Sequence, residues 1–534
     1  MDSARNKTVF LVITLAAFVA FFRLGSVTLF DVDEAVFAQA SKEMVQSGDW
    51  ITPTYNGVNR YDKPILIYWL MAGSYRLFGI NEFAARIPSA AAAFLLALAV
   101  FFFVRRCLQE ERAFFAALSL ILSFYFLVYS HSAVTDMTLA LFIALSLFSF
   151  FLSLSEHSPR ARTFLLACFY LFSALAFLTK GLIGIVFPFG IAFLYLIVAE
   201  GMKGIRKLIS LPGICTFVIV GAPWFIAQIM INGREFIDLF FLKHHFVRYT
   251  GVISGHRGPV YYFIPVIMLG LFPWIAFLPA GIRNALAERK SPASGQPGLL
   301  LFALLWFSVI FVFFSFSTTK LPNYILSAIP AATILIASGM PSRVKDTPDM
   351  RSVRSWRGFG SMLMAVVALG FSVALVVAPK YLSTLGVHAF SWIYAAALVV
   401  LIIGVILVDA AFRGRVPIRT LAMLMICLFV ILSIKALPMA SEYLQGTLHR
   451  YSLIAKEKLP AGDRIIAYGI NYPSIVFYSG HTVVQVGNTE GLGPLLAKNT
   501  YLLAITKVKK VAELEGAGFR VLEQDGQYAI LERK

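Results

Sequence analysis

The sequence predicts a mostly α-helical protein that crosses a membrane many times and ends in a small soluble α/β domain. Three observations point there. Of the 534 residues, 59% are hydrophobic and only 14% charged, about half the charged share of a soluble globular chain. Apolar runs suited to a bilayer core, which needs about 20 residues per helix, recur thirteen times. From about residue 440 the chain turns polar and alternates strand-like with helix-like segments. Together with a mean hydropathy of +0.78, these features exclude an ordinary soluble enzyme, a disordered chain and a nucleic-acid-binding module. The net charge of +18 reads, in so apolar a chain, as Lys and Arg concentrated in cytoplasmic loops.

The runs lie near 8–23, 84–104, 113–130, 137–154, 163–179, 181–199, 209–230, 260–280, 298–316, 323–340, 359–378, 389–411 and 420–437. The first is expected to stay on the chain as a signal anchor, because no convincing small-residue cleavage site precedes Leu24. Alternate short loops are basic: Arg105, Arg106 and Arg112; Arg160 and Arg162; Lys203, Arg206 and Lys207; Arg283, Arg289 and Lys290; Arg343 to Arg357; Arg413, Arg415 and Arg419. By the positive-inside rule these loops and the N-terminus face the cytoplasm, and thirteen spans put the C-terminus outside. Residues 1–439 then form the membrane domain, with outside loops 24–83 and 231–259, and 440–534 the soluble domain. Within the first loop, 64–78 reads as an interfacial helix with Tyr68 and Trp69 at headgroup level. Strands are expected at 464–468, 482–486, 501–505, 519–522 and 528–531, with helices at 474–478 and 508–515. Cys107, Cys168, Cys215 and Cys427 stand singly and imply neither a disulfide framework nor a thiolate metal site.

Chemistry gathers in the outside loops. Asp31-Val-Asp33-Glu34 sets three carboxylates in four positions beside the membrane; they are either solvated or supply a general base for an acceptor group. Arg60 and Lys63 run against the positive-inside trend and suit a phosphate, although either can pair with Asp62 at the surface. Asp136 stands in a very short outer loop, either as a helix N-cap or at the lip of a site. Adjacent His244 and His245 point about 100° apart on a helix; by spacing alone each is an ordinary histidine, while one of them with a first-loop carboxylate would make a Zn or Mn pair. Lys180 and Lys320 are snorkelling anchors or phosphate ligands. Span interiors are nearly free of charge, which weighs against an ion-coupled carrier.

The stretch 31–53, then Tyr55-Asn-Gly57, Asp62-Lys-Pro64, Asn81-Glu-Phe-Ala-Ala-Arg-Ile-Pro-Ser89 and Lys320-Leu-Pro-Asn-Tyr324, resembles the bacterial lipid-linked-sugar glycosyltransferases of GT-C fold. Within them the likeness is to the aminoarabinose transferases that modify lipid A and to the protein-mannosyltransferase-like group. It covers roughly 8–340 in motif order. The resemblance implies transfer of a sugar, with inversion, from an undecaprenyl-phosphate-linked donor to lipid A or another glycan or lipid acceptor. The reaction would lie on the periplasmic face of the inner membrane, with no nucleic acid involved. By position it assigns Asp33 and Asp136 as the catalytic carboxylates, and Lys63, with Arg60 and Lys180, as contacts of the carrier phosphate. A divalent metal (Zn, Mn or Mg) would lie between Asp62 and His245, Asp62 standing where close relatives carry a glutamate one methylene longer. The alternatives are a protein O-mannosyltransferase-like enzyme and a lipid or polyprenyl-phosphate-sugar transporter that does no chemistry.

Overall fold

The structure, a computed structural model, describes residues 2–240, 258–290, 298–341, 350–384, 391–414, 416–460, 462–496 and 501–533. The chain divides into two compact units. One comprises 1–22, 61–66 and 89–434; the other 23–60, 67–88 and 435–534.

The first unit is helical and matches the apolar runs of the sequence. Among the described residues nine helices are long and apolar enough to cross a membrane, and eleven crossings result if each of two bent pairs is counted as one. The remaining two runs are the shorter apolar helices Asn6–Phe21 and Leu299–Ser315, so the expected thirteen spans are not reached by length and composition. The bends have local causes. Between Glu110–Ile121 and Phe124–Ser130 the axis turns by 57°, where the Ser123 hydroxyl accepts from the Phe126 N–H at 3.1 Å and starts a new helix. Val260–Gly270 and Trp274–Glu288 meet at 110° on either side of Pro273, which offers no N–H to continue a helix. Glycines allow close approach. A Cβ on Gly281 would lie 2.0 Å from the Leu335 carbonyl oxygen, one on Gly339 2.1 Å from that of Phe277, and one on Gly360 2.0 Å from that of Ala276. Two arginines satisfy the last carbonyls of helix Ile329–Gly339: Arg112 Nη1 donates to Ala337 O at 2.6 Å and Met340 O at 2.7 Å, and Arg357 Nε to Gly339 O at 2.5 Å.

The second unit is mixed. A hairpin of β1 (Thr54–Tyr55) and β2 (Val58–Asn59) turns through Asn56-Gly57, both at positive φ. The C-terminal strands β3 (Arg464–Tyr468), β4 (Thr482–Val486), β5 (Leu502–Lys507), β6 (Arg520–Gln524) and β7 (Tyr528–Arg533) form one sheet in the order β4-β3-β5-β7-β6. β3 runs parallel to β4 and β5; β7 runs antiparallel to β5 and β6. Period-two alternation fills both faces. Ile465, Leu503, Ile505 and Ile530 pack with Leu448, Tyr451 and Ile475, while Ile466, Tyr468, Leu502 and Leu531 pack with Val511, Leu514 and Phe519. The five strands and the two helical stretches of the domain lie within a residue or two of their expected places.

Most of the long loop 24–83 belongs to this unit. Helix Leu66–Phe78 forms where an interfacial helix is expected, but Tyr68 is fully buried and its hydroxyl accepts from Arg60 Nε at 3.2 Å, so it does not serve as a headgroup anchor. Helix Asp33–Ser47 buries Ala35, Phe37, Ala38, Ala40 and Met44 and ends at Gly48 with φ 74°.

Candidate active site

In the mixed unit, Asn81 and Arg86 of the stretch 81–89 have defined structural roles. Asn81 Oδ1 accepts from the Ala84 N–H at 2.9 Å and caps the helix Glu82–Cys107. One turn on, Arg86 is 1% exposed and its guanidinium gathers the preceding loop. Nε and Nη2 donate to Glu34 Oε1 at 3.1 Å and Oε2 at 2.9 Å, Nη1 to Val27 O at 2.8 Å, and Nη2 to Thr28 O at 2.8 Å. A planar fork suits this bidentate pairing, and full hydrogen bonding is what makes burial of the pair tolerable. The three carboxylates of 31–34 therefore differ. Glu34 is committed to Arg86. Asp31, half-buried, accepts the Ser474 N–H at 2.8 Å and the Ser474 hydroxyl, and burial pushes its carboxyl up to about 6. Asp33 is exposed in the first turn of helix Asp33–Ser47, where a negative charge is favoured. Arg60 is half-buried between the Tyr68 hydroxyl and the Phe37 ring, whose centroid is 5.8 Å away.

In the helical unit, three span ends meet at Asp136. This residue opens helix Asp136–Ser155, is 4% exposed, and does not act as an N-cap, the cap position being Thr135. Its carboxylate is held from two sides: Lys180 Nζ donates to Oδ1 at 2.5 Å and Asn323 Nδ2 to Oδ2 at 3.0 Å. Lys180 ends helix Pro159–Lys180 and lies 5.5 Å from the ring centroid of Tyr324. Snorkelling is thus replaced by a buried ion pair. Lys320 is buried too, its ammonium donating to Ser315 O at 2.9 Å and Ser317 O at 2.5 Å, where it caps the end of helix Leu299–Ser315. Asp62 and Lys63 are half-buried. They follow Tyr61, which is 3% exposed, packs on Phe236 and donates to Glu235 Oε2 at 3.3 Å.

Of the residues singled out from sequence, Asp136 and Lys180 are brought together; Asp33 and Arg60 belong to the mixed unit, Asp62 and Lys63 to the helical one. His245 lies outside the described residues. Among the described residues no group of three or more His, Cys, Asp or Glu side chains converges to hold a metal. Asp62 offers one carboxylate, and the described residues do not complete a metal's shell. Asn323 and Arg86 fall inside the motifs 320–324 and 81–89, but their spacing alone assigns them no role, and Ser474 carries no signal of its own in the sequence.

Residues 62–226 match the family described as dolichyl-phosphate-mannose-protein mannosyltransferase. Over 351 residues, 64% of this chain and 62% of the relative, the chain is 32% identical to the undecaprenyl phosphate-alpha-4-amino-4-deoxy-L-arabinose arabinosyl transferase of Aeromonas hydrophila. An uncharacterized protein of Aquifex aeolicus is 32% identical over 342 residues, 63% of this chain and 74% of its own length. The crystal structure of ArnT from Cupriavidus metallidurans in the apo state superposes with a TM-score of 0.78 at 26% identity, covering 99% of this chain and 98% of that one. Fold and site together define a multi-pass membrane protein of GT-C type. The chain belongs to the family of lipid-linked-sugar glycosyltransferases that takes in the aminoarabinose transferases and the protein-mannosyltransferase-like group. It spans about three fifths of the length of the curated arabinosyl transferases it matches.

Proposed function

We propose that the protein transfers a sugar from an undecaprenyl-phosphate carrier to lipid A, or to another envelope glycan or lipid, on the periplasmic face of the bacterial inner membrane. The N-terminus would be cytoplasmic and the C-terminal domain periplasmic. The observation that carries this reading is the buried Asp136–Lys180–Asn323 cluster at the ends of three membrane helices. Its ionisable groups stand at helix ends, whereas a carrier would bury them near the middle of its helices. The name of the Aeromonas relative supports the donor and the sugar class.

In the step proposed, an acceptor oxygen attacks the anomeric carbon, the bond to the carrier phosphate breaks, and its electron pair stays on that phosphate. Lys63 and Arg60 are the cations proposed to stabilise this charge. Lys180 shares its charge with Asp136, so its proposed part is to hold Asp136 and to lend the phosphate only residual attraction. Asp33, exposed, takes the proton of a hydroxyl acceptor; with a phosphate acceptor it orients the group. Asp62 and His245 are the residues that would hold a divalent ion, whose charge would support the departing phosphate.

Transfer by the purified full-length chain from an undecaprenyl-phosphate-linked aminoarabinose donor tests the reading. Asp33→Asn should lower turnover by at least about 10²-fold, and Lys63→Gln by roughly ten- to a hundredfold. Donor crossing a vesicle membrane with no sugar released would make the protein a transporter. The match of 62–226 favours one second reading, a protein hydroxyl as acceptor. Mass spectrometry of envelope lipids and proteins, with and without this chain, separates the two.

A further inference from the structure

Within the mixed unit the first loop and the C-terminal segment are joined by specific bonds. Ser474 donates through its N–H, at 2.8 Å, and its hydroxyl to the two oxygens of Asp31. Tyr478 accepts from the Leu29 N–H at 2.8 Å and donates to Glu82 Oε1 at 2.9 Å. Lys42 donates to Phe477 O at 2.8 Å. Ser474, Phe477 and Tyr478 all stand on one short helix, Pro473–Ser479. Farther along the loop, Asn56 exchanges two bonds with the Val483 backbone at 2.8 and 2.9 Å, so the C-terminal segment grips the loop on both sides of the helix Asp33–Ser47.

Asp33 sits inside this grip. Two residues before it Asp31 is tied to Ser474, and one residue after it Glu34 is tied to Arg86. Its own carboxylate is exposed. A base must be held within about 0.5 Å of its productive place, and roughly 1 Å of misplacement can cost about 10²-fold in rate. An exposed side chain contributes no packing of its own to that end, so its backbone must be fixed by its neighbours. We propose that the C-terminal domain is a positioning element of the transferase: Ser474, acting through Asp31, sets the turn that presents Asp33 to the acceptor. The proposal rests on the reading of Asp33 given above.

The test uses the purified full-length chain, the aminoarabinosyl donor with lipid A for turnover, and undecaprenyl phosphate alone for carrier binding. Asp31→Ala should lower kcat by about tenfold or more, with the Kd for undecaprenyl phosphate within about twofold of the parent. A misfolded variant would lose that binding. Asp31→Asn should keep most of kcat, since an amide oxygen still accepts from Ser474. Asp31→Ala combined with Ser474→Ala should be no slower than Asp31→Ala alone, because both act through one contact. Parental kcat in Asp31→Ala, or single losses that multiply in the double variant, overturns the proposal. If Asp33→Asn loses turnover while Asp31→Ala keeps it, only the clasp fails. An Asp33→Asn variant that keeps its turnover removes the reading beneath it.

Discussion

Asp31 holds its charge against its surroundings. Burial raises its carboxyl from 3.8 to about 6, and the two bonds from Ser474 offset only part of that. Between those two pH values the folded state keeps a proton that the unfolded chain has lost, so this group's contribution to stability falls as pH rises and levels off above about 6. Other carboxylates titrate in the same window, and a difference isolates the effect. The thermal midpoint of Asp31→Asn relative to the parent should rise from pH 4 to about 6.5 and then stay flat; a constant difference would show that Asp31 titrates normally. Asp136 presents the opposite case, a carboxylate whose partner is buried with it. Asp136→Asn leaves Lys180 without its counter-charge and should destabilise by about 3–5 kcal/mol as well as abolish transfer. Adding Lys180→Met should restore the thermal midpoint while leaving transfer lost. If the midpoint stays depressed, the pair is not what holds those span ends.

At the scale of elements, the closest contacts are made by glycine. A Cβ at Gly281 meets a carbonyl oxygen at 2.0 Å, and a backbone atom cannot move aside as a side chain can. Gly281→Ala should therefore cost about 1–3 kcal/mol. Gly73→Ala, in a helix with nothing within 4 Å of the new methyl, should be neutral or stabilising. Thermal unfolding in detergent compares the two, and equal effects would contradict the packing described. Helices and strands were largely legible beforehand, since bilayer thickness fixes the length of an apolar run and a two-faced sheet fixes its alternation. The bends at Ser123 and Pro273 were not: a serine in an apolar run is no breaker, and a proline marks a bend only ambiguously, since Pro88 and Pro188 sit inside continuous helices. Nor was the burial of Tyr68: an aromatic in a short amphipathic helix reads alike whether it faces lipid or protein.

For the whole molecule, the basic loops make a testable claim about sidedness. Reporter fusions after Arg357 and after Tyr443 bracket the apolar stretches 359–378, 389–411 and 420–437, and should report opposite sides of the membrane. The same side for both would remove the proposed periplasmic site. The motifs mark neighbourhoods in the sequence, but the partners within them depend on the complete fold. Asp136 is reached by Lys180 across 44 positions and by Asn323 across 187, distances over which spacing carries no information. The bond from Ser474 to Asp31 spans 443 positions and joins two segments far apart in the sequence. Recombination between relatives could not exchange such segments independently. A tail inherited from one lineage would meet a loop shaped by another, and positions 31, 56, 474 and 483 would have to travel as a set. In building hybrids to alter acceptor choice, the tail must therefore be moved with residues 23–60 of its own parent.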